Sequence, residues 1–347
     1  SENTIITIGG EGDFDPGDQG VTIDLADGDA IVCTFVNDAD GSITVTKVTD
    51  PSGSAQIFDF SGAITASLTD GQTSTAILVP PGNYAVTEGA VAGWDVTNIT
   101  CSDDDSTGTG STANFVVAPG EVVDCTFTNT IQRGNIVVEK QTDPDGSSQL
   151  FDFITSYSGG FSISDGQQND SGPLLPTSEA GTYSVSESLP AGWELTSATC
   201  SDGSSADAID LAPGETVTCV FTNTIQRGNI IVQKVTDPDT STEDFGFVTN
   251  YGDPFVLMNG EQNDSGELLP TSEGGTYSVI EDDELGWDQT SVICDDGSDP
   301  TAIELGPGET VTCVFTNSIQ GGNTHVKKLT KPHSSSEHCG GVTYYGG

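Results

Sequence analysis

Short runs in which apolar and polar residues alternate recur along the whole chain, and no stretch keeps the spacing of an amphipathic helix over any length. Ile136, Val138 and then Lys140 fall on one side of such a run. Tyr183, Val185 and Glu187 fall on one side of another. A period of two puts alternate side chains on one face, so each run predicts a strand with one face turned inward. Turn chemistry separates the runs: Pro-Ala-Gly-Trp at 190–193 and Pro-Gly-Glu-Thr at 213–216 are examples. The economical fold is an all-β, Ig-like sandwich of roughly seven short strands per unit.

The pattern itself repeats. GSITVTK from Gly41, GNIVVEK from Gly134, GNIIVQK from Gly228 and GNTHVKK from Gly322 are one motif at spacings of 93, 94 and 94 residues. A second block, YxVxE followed by Gly-Trp, ends at Trp94, Trp193 and Trp287. A third, CTFTN or CVFTN, closes at Asn129, Asn223 and Asn317. Three blocks recurring in one order are the mark of tandem repeats. The predicted units are residues 41–132, 134–226 and 228–320, and the three tryptophans read as core or rim packing.

The outer segments read as pieces of a fourth repeat split between the two chain ends. Residues 322–347 match the stretch from Gly228 without a gap, as the opening part of a repeat, and residues 21–37 match the stretch ending at Asn317. Residues 1–37 are therefore expected to be the closing part. An unfinished sandwich exposes strand edges and half a core. If residues 322–347 of one subunit are donated to the head of the next, both liabilities disappear, and such a head-to-tail contact propagates into a fibre. Residues 1–37 carry eight acids and no base, whereas 322–347 hold Lys327, Lys328 and Lys331 against Glu337, so the two segments should attract. Decayed outer repeats, or a tail closing on its own head, are the alternatives.

Composition narrows the partners. Against 53 Asp and Glu stand only 8 Lys and Arg, a formal charge of -45, which repels nucleic acid and anionic membrane surfaces. Such a charge suits a high-salt habitat, cation binding or the solubility of a crowded surface polymer, and composition does not choose among them. No run of 18 apolar residues exists, so no membrane insertion is expected. Ser1 begins directly in polar sequence, which reads as a secreted chain already processed. Asn98, Asn169 and Asn263 begin N-x-S/T sequons on which a secreted chain could carry glycans.

The cysteines fall one pair per repeat: Cys101 with Cys125, Cys200 with Cys219, Cys294 with Cys313. Recurring pairs in a Gly-rich acidic chain predict disulfides and an oxidising compartment. Cys33 and Cys339 are left over, one in each outer segment, and could join neighbouring subunits. No CxxC occurs and the histidines, His325, His333 and His338, all lie beyond the repeats, so no zinc site is expected. The acidic clusters at 102–106 and 281–284 lack the spacing of a calcium loop and read as solvated turns. No nucleophile beside a base emerges, so the expectation is no enzyme, no cofactor and no metal.

One constellation crosses the repeats. Each has a Lys ending its first strand, a Glu ending the YxVxE strand and an Asn ending the last: Lys47, Glu88, Asn129; Lys140, Glu187, Asn223; Lys234, Glu281, Asn317. Those are the only lysines before residue 327. Burial lowers a lysine's pKa and raises a carboxylate's, so a neutral amine held in contact with an amide can attack it while a protonated Glu polarises the carbonyl. A buried Lys–Glu ion pair beside an Asn that caps the last strand is the alternative.

These units resemble the prealbumin-like (CnaB or SpaA type) domains of bacterial surface proteins and pilins. In that family the strand-one Lys attacks the Asn side chain, with the Glu assisting, to form an intramolecular isopeptide bond. The resemblance implies bonds Lys47–Asn129, Lys140–Asn223 and Lys234–Asn317, and a stalk, adhesin or pilus role. Lys328 and Asn37 hold the matching positions of the split repeat, where a bond would join subunits, although neither Glu2 nor Glu11 is a clear counterpart of the assisting Glu. LLPTSE, at Leu174 and Leu268, sits inside a repeat with no apolar segment and basic tail after it, so strand exchange fits better than sortase assembly. The function expected is the structural subunit of an extracellular filament, polymerising head to tail, with a non-polymerising surface stalk or adhesin as the alternative.

Overall fold

Alternation becomes burial strand by strand. Along Gly41–Asp50 every second residue is buried, so Ile43, Val45 and Lys47 face the interior together. Val122–Ile131 does the same from Val123 to Ile131. The computed structural model describes residues 5–8, 21–32 and 39–322. Cys33, Asn37, Lys328 and Cys339, with the intersubunit bonds expected of them, lie outside the described residues.

The chain forms two compact units, Ser1–Gly134 with Leu175–Gly181 and Ala212–Glu215, and Asn135–Leu174 with Thr182–Leu211 and Thr216–Gly347. In the first unit, Ile5–Ile8 and Val21–Asp24 pair antiparallel as a two-stranded sheet. The sandwich that follows has a four-stranded sheet in the order Ile77–Val79, Gly41–Asp50, Val122–Ile131, Trp94–Cys101. Its five-stranded sheet runs Ala66–Leu68, Phe58–Gly62, Gly82–Glu88, Thr112–Val117, Thr107–Thr109.

The second unit holds two further sandwiches. Their four-stranded sheets run Gln168–Asp170, Asn135–Asp143, Thr216–Ile225, Trp193–Cys200 and Gln262–Asp264, Asn229–Asp237, Thr310–Ile319, Trp287–Cys294. Three-stranded sheets, Phe161–Ile163, Phe151–Thr155, Val185–Ser188 and Phe255–Leu257, Phe245–Thr249, Val279–Glu281, complete them. The architecture is thus nearly all-β, in tandem β-sandwiches.

One feature of this topology places chemistry. The first and last strands of every repeat are neighbours and run parallel, although some eighty residues separate them. Lys47 stands opposite Phe127 and Thr49 opposite Asn129, so Lys and Asn share one inward face two positions apart. Lys140 with Asn223 and Lys234 with Asn317 repeat the register. The Glu-bearing strand belongs to the facing sheet, so its carboxylate enters the same space from across the core. Aromatic edges fill the remainder: Phe58 meets Trp94, Phe151 meets Trp193 and Phe245 meets Trp287 in T-shaped contacts at 5.5, 5.2 and 5.5 Å.

Two short turns recur that alternation could not predict. Pro176 and Pro270 lead into single helical turns, Thr177–Ala180 and Thr271–Gly274. In the first unit Leu175 packs on the first core, Glu179 accepts a hydrogen bond from Ser54 Oγ at 3.1 Å, and Pro213 lies against Gly93. In the second unit Leu269, the Ser147–Glu273 bond at 3.1 Å and Pro307 against Gly192 reproduce the set. A Cβ on Gly93 or Gly192 would come within 2.5 or 2.4 Å of its proline, so glycine is required there by the contact as well as by its positive φ.

Candidate cross-link site

The structure brings each predicted Lys, Glu and Asn together. Lys47, Lys140 and Lys234 are fully buried, and no water reaches their ammonium groups. Each uses its three donors. Lys47 Nζ donates to Asn129 Oδ1 at 2.7 Å and to the carbonyls of Val48 and Phe127 at 3.1 and 3.2 Å. Lys140 Nζ donates to Asn223 Oδ1 at 2.8 Å and to Gln141 and Phe221. Lys234 Nζ donates to Asn317 Oδ1 at 2.6 Å and to Val235 and Phe315. A phenylalanine ring, Phe58, Phe151 or Phe245, lies under each Nζ at 4.3, 4.1 and 4.1 Å. Sequence reading missed this ring, although the recurring Phe-x-Phe of 58–60, 151–153 and 245–247 was its visible signal.

The carboxylates complete the site. Glu88 and Glu187 stand 3.5 Å from Lys47 and Lys140, and Glu281 stands 3.1 Å from Lys234. In the first repeat Asn129 Nδ2 also donates to Glu88 Oε1. Loss of water on burial, which outweighs the facing charge, pushes Lys47, Lys140 and Lys234 below the ordinary lysine range. The same loss of water raises Glu88 and Glu187. Both shifts favour moving the proton from ammonium to carboxylate, which yields a neutral amine and a neutral acid at the same total charge.

Glu88 Oε2, Glu187 Oε1 and Glu281 Oε1 face the lysine ammonium without a hydrogen bond, and Glu187 Oε2 and Asn223 Nδ2 have no hydrogen-bond partner. Buried groups left unpaired are costly, and they are tolerated where a reaction makes use of them. With the amine neutral, its lone pair can add to the Asn Cγ. The Cγ–Nδ2 bond then breaks and the nitrogen leaves as ammonia, taking a proton relayed through the Glu. The product is an amide joining the first strand to the last, and atoms balance without any oxidant.

The predicted cysteine pairs are bonded on adjacent antiparallel strands: Cys101–Cys125, Cys200–Cys219 and Cys294–Cys313, closing separations of 24, 19 and 19 residues. A loop of that size is worth about 3 kcal/mol in the chain-entropy account. Asn98 is exposed, whereas Asn169 and Asn263 are half-buried on edge strands. Among the described residues no group of three or more His, Cys, Asp or Glu has the arrangement of a metal site, and no helix is long and apolar enough to cross a membrane.

The prealbumin-like fold domain of the SpaA type matches residues 43–131 and again 136–225, just over half of the chain. The chain belongs to that family. No curated protein matches it in sequence. Among solved structures, the Bacillus anthracis TIE protein is similar over 80% of this chain at 16% identity and a TM-score of 0.51. The similarity covers 51% of that protein, so the present chain spans about half its length. The major pilin of Streptococcus pyogenes is 13% identical over 55% of this chain and 98% of its own, with a TM-score of 0.31. Two B repeat units of the collagen binding protein of Staphylococcus aureus are 14% identical over 80% of this chain and 74% of theirs, with a TM-score of 0.28. In this chain the Lys, Glu and Asn stand where each repeat brings its first, facing and last strands together.

Proposed function

We propose that this protein is a structural component of an extracellular or cell-surface fibre, whose prealbumin-like repeats each lock themselves with a Lys–Asn isopeptide bond beside a disulfide. The observation that carries this reading is the threefold recurrence of a buried Lys in contact with both a Glu and an Asn. Such a triad is consumed by its own single reaction, so the protein acts by persistence and not by turnover. Tying the first strand to the last closes each sandwich across the pair that must separate for it to unravel. Disulfides favour an oxidising, extracellular setting. Peptide mapping of the reduced chain tests the reading: it expects the peptide carrying Lys140 joined to the peptide carrying Asn223, and two separate peptides would refute it.

The finer reading is a head-to-tail homopolymer, in which residues 322–347 of one copy complete residues 1–37 of the next. It is favoured by the outer faces of the described residues. Ile131 and Ile225, which end the last strands of the first two repeats, are 3% and 2% exposed, whereas the matching Ile319 is 58% exposed. Leu25 and Ile31, which match buried residues of the third repeat, are likewise exposed. Covering both surfaces by a neighbouring copy removes apolar area from water. Sedimentation of the full chain before and after reduction tests it: concentration-dependent species larger than a monomer are expected, and a monomer at all concentrations would leave the non-polymerising stalk.

A further inference from the structure

The three triads differ at a position that the fold makes equivalent. Opposite the cross-link Asn, on the adjacent antiparallel strand, stands Val96 against Asn129, Leu195 against Asn223, and Gln289 against Asn317. The polar one reaches the site. Gln289 Nε2 donates to Glu281 Oε2 at 2.8 Å, and Lys234 Nζ lies 3.1 Å from Glu281 Oε1, where the first two repeats have 3.5 Å. In the first repeat the carboxylate accepts from the reacting amide itself, Asn129 Nδ2. Valine and leucine can offer no such donor.

Gln289 thus helps hold Glu281 in a two-sided contact with an amide and a close ammonium, an arrangement that proton transfer from Lys234 must disrupt. Cross-linking needs the transferred state, in which the Glu has taken the lysine's proton and the amine carries a free lone pair. We propose that Gln289 is a positioning residue that retards isopeptide formation in the third repeat, so that the first two repeats lock before it. The reaction is the same in each case: the Nζ–Cγ bond forms, the Cγ–Nδ2 bond breaks and ammonia leaves, with Gln289 unchanged. The consequence is a graded protein, in which Gly41–Asp50 and Asn135–Asp143 are tied early while Asn229–Asp237 stays free of Thr310–Ile319 for longer. This inference rests on the cross-link reading of the triads.

The test follows the three bonds separately in the full chain. Protein made by cell-free synthesis under oxidising conditions is sampled over time, reduced and digested, and the three joined peptide pairs are quantified by mass spectrometry. The Lys234–Asn317 pair is expected to lag the other two by roughly tenfold or more, the rate equivalent of one hydrogen bond to a charged group. Gln289→Leu should abolish most of that lag, and Leu195→Gln should impose one on the second repeat. This reciprocal exchange separates positioning from a general loss of folding. Equal rates in the unaltered chain, or a lag that neither substitution moves, would overturn the inference while leaving the cross-links standing. Absence of all three joined pairs would overturn the cross-link reading together with it.

Discussion

Residues 301–311 and residues 21–31 carry nearly the same pattern and meet different fates. In the third repeat Leu305 and Val311 are 2% and 0% exposed, whereas the matching Leu25 and Ile31 are 58% and 38% exposed. The turn between them is built alike in both: Asp29 N bonds Ala26 O as Glu309 N bonds Gly306 O, each at 3.2 Å, around a glycine of positive φ. Local sequence therefore sets the turn, while burial comes from the sandwich around it. In the third repeat Thr310–Ile319 lies between Asn229–Asp237 and Trp287–Cys294, whereas Val21–Asp24 pairs with Ile5–Ile8 in a two-stranded sheet.

The sharpest way to break this comparison is to place the same charge in both segments. Val311→Asp would bury a carboxylate without a partner at a cost of about 5 kcal/mol or more, enough to unfold its sandwich. Ile31→Asp should change stability by less than about 0.5 kcal/mol in the monomer. Thermal unfolding of the two variants measures the difference, and equal losses would show that residues 21–32 already share a core.

A smaller effect is expected from within a complete repeat. Lys140→Met removes the cation that faces Glu187 and forbids the cross-link, leaving a buried acid with no partner. The expected loss is about 3 kcal/mol in denaturant unfolding, and Glu187→Leu added to it should recover part of that loss. A recovery of nothing would mean that the carboxylate was not the source of the cost.

Much of this was legible in the sequence because it is periodic. The 93- and 94-residue spacing exposed the repeats, alternation exposed the inward faces, and pairing by repeat gave the three disulfides. The Lys, Glu and Asn stood out because lysine is so rare here that its positions carry weight. The parts that stayed hidden depend on neighbours that no local pattern records. Phe58, Phe151 and Phe245 look like any core residue until their rings are found under Nζ. Gln289 is exposed on Trp287–Cys294, and only the register shows that it stands opposite Asn317. The turns at 177–180 and 271–274 are four residues long, too short for any helical period to show.

The smallest effect is one of rate with pH. In the first two repeats the lysine is depressed and the glutamate raised, so the reactive pair and its ion pair hold one shared proton and interconvert without uptake or release. Acidification adds a second proton and leaves the amine an ammonium. Alkaline conditions remove the shared proton and leave the acid a carboxylate. Cross-linking should therefore follow a bell-shaped profile, falling on both sides of a plateau. A rate that climbs steadily into alkali would show that the free amine suffices and the glutamic acid plays no part.

Conversion of the buried triads to isopeptide bonds is read from the intact mass of the reduced, denatured chain. The expected mass lies below that of the sequence by about 17 Da for each bond formed, two in freshly made protein and three after ageing. A mass equal to that of the full sequence, unchanged with time, would contradict it and leave three buried ion pairs in place of three cross-links.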